Sequence, residues 1–202
     1  MLCFCGSKLN FQQCCEVFIR GKQLAETPLQ LMRSRFSAYC IREVDYIFET
    51  YHTSQHASNQ KQDIELFAKS SHFLKLEIIR CFGTDQLPGS CTIPEVKDVA
   101  GFVEFSVSYL QAGKLHQFSE CSRFLPELTT PITNERQSQS AVNTSFSDSI
   151  ADSPANPVNS WQWRYVDGVL NSIPSKSIGR NELCPCDSGK KYKQCQTHQT
   201  AK

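Results

Sequence analysis

The chain has 202 residues, of which 40% are hydrophobic and 20% are charged, and its formal net charge at pH 7 is +1. This near-neutral charge argues against a dedicated nucleic-acid-binding protein, because such domains are usually clearly basic. No apolar run approaches the roughly 20 residues that a membrane helix needs, and the length suits one or two domains.

The first element along the chain is a cysteine motif of the form C-x-C-x8-C-C. Four thiolates form the ligand set of a closed, structural zinc site. A module this short has no core of its own and is expected to fold on binding metal. We therefore predict a zinc module over residues 1–22, the alternative being four unligated thiols. Its ligands are Cys3, Cys5, Cys14 and Cys15.

The eleven cysteines of the chain favour a reducing compartment. A secreted disulfide scaffold would follow a signal peptide, and none is expected where the first motif begins at Cys3. Disulfides between neighbours in the motif would also be strained. We therefore expect a cytoplasmic protein. Cys40, Cys81, Cys91 and Cys121 lie among apolar residues and are expected to be core or surface thiols without a catalytic task.

The middle of the chain, residues 23–175, reads as three helices followed by four strands, which is an α+β order. Thr27-Pro28 is a capping hydroxyl followed by proline and predicts a helix start. Helical spacing predicts further helices around residues 44–51 and 63–70. Alternating apolar residues predict strands over residues 72–82, 99–110, 115–125 and 161–169.

Residues 126–160 interrupt this pattern. Of these 35 residues, 19 are Ser, Thr, Asn or Pro. Such a segment buries too little apolar surface to offset its ordering entropy, and loop insertions are tolerated thermodynamically. We interpret it as a mostly disordered insertion within the middle domain, the alternative being a packed functional lid.

Residues 176–202 repeat the first motif as C-x-C-x8-C, with the thiols of Cys184, Cys186 and Cys195. The position of the fourth cysteine is taken by Gln196. His198 lies about one helical turn beyond Cys195 and can face the same side, and imidazole is a good zinc ligand. We predict a second zinc site completed by His198; the alternative is a degenerate site that is empty or completed by water.

These residues carry a family resemblance. The second motif, preceded by Gly179-Arg180-Asn181, resembles the SEC-C zinc motif known from the SecA translocation ATPase. The whole chain is similar to the YchJ family, which has one SEC-C copy at each end of a domain similar to nuclear transport factor 2. Further support comes from Leu31-Met32-Arg33-Ser34-Arg35-Phe36, Ser122-Arg123-Phe124-Leu125 and Tyr165-Val166-Asp167-Gly168.

The resemblance implies an α+β cone, with helices packed on a curved antiparallel sheet, flanked by two small zinc modules that bind two zinc ions. The chain departs from the family pattern at Gln196, at Asp187, where glycine is usual, and at Thr53, where proline tends to follow the histidine.

The cone fold encloses a pocket, and five residues of the middle domain are candidates to line it. A structural role for them, such as an ion pair between an arginine and Glu120, is the leading alternative, because fold does not dictate function. The candidates are Arg35, His52, Glu120, Arg123 and Tyr165.

Three functions compete at this point. The leading hypothesis is a non-enzymatic zinc protein that docks a protein partner, through a basic face formed by Lys190, Lys191, Tyr192 and Lys193. By resemblance to SecA, the partner would be linked to chaperones, export or the ribosome. A small-molecule or enzymatic pocket is the second hypothesis, which two or more convergent ionisable side chains would favour. Nucleic-acid binding by the basic C-terminal module is the third.

Overall fold

The computed structural model describes residues 1–83, 99–129 and 160–195. Four helices precede four strands, and short 3-10 helices stand at Phe11–Gln13, Thr53–Gln55 and Tyr192–Gln194. The helices are α1 (Glu16–Ile19), α2 (Pro28–Ile41), α3 (Val44–Glu49) and α4 (Lys61–Ser70). The strands are β1 (Ser71–Gly83), β2 (Gly101–Gln111), β3 (Lys114–Thr129) and β4 (Ser160–Ser177). The expected α+β architecture is confirmed.

Helix α2 begins and ends as its sequence directs. The Thr27 hydroxyl accepts a hydrogen bond from the Gln30 amide at 3.1 Å, and Pro28 occupies the first turn. The helix ends where Arg42 adopts a left-handed conformation with φ of 64°. Between these points its buried face includes the polar residues Ser34, Arg35 and Ser37. Ser37 contacts the first cysteine motif, and Arg35 faces a cavity between the helix and the sheet.

The four strands form one antiparallel sheet in the order β1-β2-β3-β4. Alternate residues of the strands face α2 and build the core with it, as the period of two in the sequence requires. Sheet residues of this core include Val103, Phe105, Phe124 and Trp163, and helix residues include Leu31 and Phe36. No helix in the described ranges has the length and hydropathy needed to cross a membrane.

The sheet extends into the segment that was predicted to be an insertion. Residues 126–129 continue β3 and pair with residues 160–163 of β4, so five residues at the two ends of the predicted insertion are strand. Residues 130–159 lie outside the described residues. The polar composition of the 35-residue window concealed this short extension of β3, in which Leu128 pairs with Trp161 just beyond the window.

Glu127 in this strand extension is the anchor of a polar cluster. Its Oε1 accepts hydrogen bonds from the Thr53 hydroxyl at 2.6 Å and the Thr53 amide at 3.1 Å. The guanidinium of Arg164 lies 3.4 Å from Oε2, and both side chains are about 15% exposed. His52 lies at the same place, with Nε2 3.5 Å from Glu127 Oε1. The cluster therefore ties the end of β3 to the loop after α3.

Candidate metal centres

The four N-terminal thiols converge as the sequence predicts. Their sulfur atoms all lie within 4.8 Å of one another, and the Cys14 sulfur is 3.7 Å from that of Cys5 and 3.9 Å from that of Cys15. Four ligands placed tetrahedrally at about 2.3 Å from one ion would be about 3.8 Å apart. The donor set and its spacing therefore fit a four-thiolate metal site.

The N-terminal cluster belongs to the core of the protein. Cys3, Cys5 and Cys15 are buried, and they pack with Phe11 in the same apolar cluster as Leu31 of α2. Arg33 and Ser37 of α2 also contact the cysteines. They lie one helical turn apart and therefore share a face of the helix. A metal bound here would join the first module to the main helix of the cone.

The contacts from α2 complement a negatively charged site. Arg33 Nη1 donates to the Cys5 carbonyl at 2.7 Å and lies 3.8 Å from the Cys5 sulfur, and the Ser37 hydroxyl is 3.6 Å from the Cys3 sulfur. Hydrogen bonds from the Cys15 and Cys3 thiols lower the pKa of Cys5. Burial raises the pKa of Cys14, and hydrogen bonds with Cys3 and Cys5 raise that of Cys15, so Cys5 is the thiol of these three that most readily takes the thiolate form of a metal ligand.

The C-terminal cluster contains three thiols. The sulfur atoms of Cys184, Cys186 and Cys195 lie within 4.8 Å of one another, and those of Cys186 and Cys195 are 3.4 Å apart. Gln196 and His198 lie outside the described residues, so the fourth ligand stays a prediction. Three converging thiolates also fit a metal, with one position left for a further ligand.

The two modules are structural copies of each other. In each, the amide of the first cysteine donates at 2.8 Å to the carbonyl six residues later, from Cys3 to Leu9 and from Cys184 to Lys190. The Ser7 hydroxyl lies 3.2 Å from the Cys14 sulfur, and the equivalent Ser188 hydroxyl lies 3.4 Å from the equivalent Cys195 sulfur. The sequence repeat at the two ends is therefore a repeat of the fold.

Both copies need a left-handed residue at the same two positions of the turn. In the first copy these are Gly6, with φ of 75°, and Lys8, with φ of 63°. In the second they are Asp187, with φ of 56°, and Gly189, with φ of 70°. Each copy thus has glycine at one position and a strained side chain at the other, and Asp187 is tolerated because aspartate visits this region more readily than most residues.

We expect Asp187→Gly to tighten metal binding at the C-terminal cluster about threefold to fivefold, or about 0.7–1 kcal/mol, because glycine adopts positive φ without a Cβ penalty. Competition between the protein and a chelator for Zn²⁺ measures this change. The control is Asp187→Asn, which removes the same charge and keeps the Cβ atom. An equal gain in both variants would assign the effect to charge and contradict the conformational account.

The two modules differ in how they meet the cone. The second module contributes Tyr192 to a groove of about 340 Å³ that also borders Arg42, Lys69 and His72. Lys190, Lys191 and Lys193 are exposed, whereas Tyr192 is only half-exposed. The predicted basic face is therefore formed by the three lysines, whereas the Tyr192 ring lines the groove.

Three of the five candidate pocket residues meet in one cavity, and two lie elsewhere. Arg35, Glu120 and Tyr165 line a cavity of about 180 Å³ between α2 and the sheet. Arg123 instead forms an ion pair with Asp167 on exposed surface, since its side chain alternates away from the face that carries Glu120. His52 joins the Glu127 cluster. Within the described residues, neither arginine forms an ion pair with Glu120.

In the part of the chain that the structure describes, the remaining cysteines belong to no such cluster. Cys40, Cys81 and Cys121 are half-buried, and Cys91 lies outside the described residues.

Comparison with known proteins agrees with this architecture. The family model described as "YchJ, middle NTF2-like domain" matches residues 27–130, and that of the SEC-C motif matches residues 180–195. A UPF0225 protein of Vibrio cholerae is 33% identical over 195 residues, covering 96% of this chain and 99% of the relative. The chain belongs to the YchJ family. A second relative, a UPF0225 protein of Serratia proteamaculans, is 32% identical with 96% of each chain covered.

Two solved structures share the fold. One is the solution structure of a SEC-C motif containing protein from Rhodopseudomonas palustris, with a TM-score of 0.56, 22% identity, and coverage of 84% of this chain and 98% of that one. The other is the crystal structure of a SEC-C motif containing protein from Psychrobacter arcticus, with a TM-score of 0.56, 21% identity, and coverage of 96% and 94%. Both likenesses extend over most of this chain and support its fold.

Proposed function

We propose that this protein is a non-enzymatic, cytoplasmic zinc protein whose C-terminal SEC-C module docks an acidic segment of a protein partner. In this account the N-terminal site is purely structural. Its four thiols are a complete ligand set, and three of them are buried in the core, so no coordination position is open for chemistry.

The identity of the metal as zinc and the cytoplasmic location are both proposed from the chemistry of the cysteines. Tetrahedral sites of three or four thiolates are typical of zinc, with His198 as the proposed fourth ligand of the second site. The described part of the chain contains no disulfide, and a reducing compartment keeps such thiols available as ligands.

The observation that carries the docking proposal is the charge of the second module. Residues 176–195 contain five basic side chains and two acidic ones, and the three lysines at positions 190, 191 and 193 are exposed. Beside Tyr192, the cone adds Arg42 and Lys69 to this surface, and Lys69 also pairs with Glu65. A positive surface of this kind complements an acidic protein segment.

The resemblance to SecA suggests the kind of partner. The SEC-C motif of SecA contacts an export chaperone and the ribosome, and we propose a partner linked to chaperones, export or the ribosome here.

Quantitative affinity capture from lysate tests the proposal. The bait is zinc-loaded wild type, and it is compared with Cys186→Ser and with a variant that carries glutamate at positions 190, 191 and 193. The matched control carries glutamate at the exposed positions Arg20, Lys22 and Lys61, which lie outside both cysteine clusters and the second module. We expect a protein that is enriched by wild type and by the control, and that is reduced at least tenfold with both other variants.

Two results would contradict the proposal. Capture that disappears on RNase treatment would favour nucleic-acid binding by the same lysines. Equal capture by all four baits would remove the C-terminal module from the interface.

A further inference from the structure

The cavity between α2 and the sheet is an aromatic chamber with two ionisable groups at its wall. It measures about 180 Å³. Its rings include Phe36 and Tyr39 of α2 and Phe105 and Phe118 of the sheet. A cavity of roughly 150 Å³ with apolar walls is large enough to hold benzene. The space therefore suits one six-membered ring with small substituents.

Arg35 is a buried cation whose hydrogen-bonding capacity is only partly used. The residue is 5% exposed. Its Nη1 donates to the Ile47 carbonyl at 2.7 Å and to the Thr50 hydroxyl at 2.6 Å. The guanidinium carbon lies 4.3 Å from the ring centre of Tyr51 and 4.9 Å from that of Tyr165.

These contacts hold the guanidinium in place and leave part of its hydrogen-bonding edge unused. In the described part of the chain, Nε and Nη2 of Arg35 have no hydrogen-bond acceptor, and no carboxylate forms an ion pair with this side chain. A planar guanidinium binds a carboxylate through two parallel hydrogen bonds. The unused edge of Arg35 is therefore suited to an anionic group.

Glu120 supplies a fixed acceptor in the same cavity. Its Oε1 accepts hydrogen bonds from the Ser122 hydroxyl at 2.6 Å and the Tyr165 hydroxyl at 2.9 Å. Gly168 leaves room for this arrangement, because a Cβ atom there would be 2.2 Å from Oε1. Within the described residues, Oε2 has no donor, so a hydroxyl or amino group of a ligand can bind there.

We propose that this cavity binds a small aromatic carboxylic acid that also carries a hydrogen-bond donor, the class of hydroxy- and aminobenzoates. The ligand's carboxylate would bind Arg35, its ring would pack among the aromatic walls, and its donor would bind Glu120. This binding activity is separate from partner docking, because the cavity includes no residue of either metal cluster.

The chain offers a built-in probe of the cavity. It contains two methionines. Met32 lines the cavity, and Met1 is 74% exposed. In protein labelled with ¹³C at the methionine methyl groups, 4-hydroxybenzoate should shift the Met32 signal saturably and leave the Met1 signal unchanged. The neutral analogue 4-hydroxybenzamide should bind at least tenfold more weakly, and benzoate, which lacks the donor, about threefold more weakly.

Variants assign these preferences to residues. Arg35→Gln should reduce the preference for carboxylate over amide to less than twofold, and Arg123→Gln, which removes an arginine outside the cavity, should keep it. Cys186→Ser should bind 4-hydroxybenzoate as wild type does, which separates this proposal from the docking proposal.

The wild-type comparison decides the matter even if Arg35→Gln is unfolded. Equal affinity for 4-hydroxybenzoate and its amide, or an unmoved Met32 signal at millimolar ligand, would overturn the proposal. Equal affinity for benzoate and 4-hydroxybenzoate would overturn the role given to Glu120.

Discussion

Replacing Cys5 by serine should lower the melting temperature of the protein by about 10 °C or more, which corresponds to about 3 kcal/mol or more for a chain of this size. Cys5 is fully buried in the core cluster beside α2. The substitution removes one proposed metal ligand and the contact of Arg33 with the Cys5 sulfur, and it keeps the hydrogen bond from Arg33 to the Cys5 carbonyl. Apparent binding free energies of structural zinc reach about 10–16 kcal/mol in small modules. Loss of the metal should therefore lower the stability of the whole cone.

The equivalent change in the second module, Cys186→Ser, should shift the melting temperature by less than about 3 °C, an effect within about 1 kcal/mol. Cys186 is half-exposed and lies outside the core cluster. Thermal unfolding followed by tryptophan fluorescence suits this comparison, since Trp163 is 1% exposed in the cone core. Cys40→Ser is the control for the loss of a half-buried thiol outside the clusters. Equal destabilisation by Cys5→Ser and Cys186→Ser would contradict the division of roles.

Glu127→Gln should cost about 1.5–3 kcal/mol of folding free energy, the range for a hydrogen bond to a charged group. The variant keeps the shape of the side chain and removes the charge that Arg164 and the Thr53 donors stabilise. The control is Glu77→Gln, which breaks an ion pair with Lys75 between side chains that are more than half exposed. Exposed pairs contribute at most about 1 kcal/mol, so urea unfolding should separate the two variants.

The effect of Glu127→Gln should also depend on pH. Burial raises the pKa of Glu127, but the hydrogen bonds from Thr53 and the charges of His52 and Arg164 outweigh it, and the net shift is downward. A carboxyl group with a lowered pKa in the folded state stabilises the protein above its unfolded-state pKa of about 4.3, and this contribution is lost as the pH falls through the folded-state value. The wild type and Glu127→Gln should therefore differ most near pH 7 and converge below about pH 4. A difference that does not change with pH would show that the charge of Glu127 is not what stabilises the cluster.

The local features of this fold could be predicted from sequence because their causes are local. The cap at Thr27, the alternation of buried Val103 and Phe105 with polar neighbours, and the repeated cysteine spacing each determine a structure within a few residues. The hydrogen bonds shared by the two modules show that the spacing of the repeat reflects real geometry.

Features that depend on distant partners could not be predicted in the same way. Nothing near Arg33 or Ser37 in the sequence indicates that α2 contacts the cysteines of the first module. The sequence offered Arg35 and Arg123 as equal candidates for the pocket. In the structure Arg35 of α2 lines the cavity, whereas Arg123 lies on the outer face of the sheet. Glu127 was assigned to the insertion because the residues around it are polar. Its partners Thr53 and Arg164 lie far away along the chain, so the sequence near Glu127 does not reveal them.

The central claim is that each end of the chain holds one metal ion, and that the two ions have different roles. Native mass spectrometry of protein prepared under reducing, zinc-replete conditions tests it most directly. We predict two zinc ions per wild-type chain and one in Cys186→Ser, with the cone still folded in that variant. A folded wild-type chain that carries no metal would contradict the account at both ends.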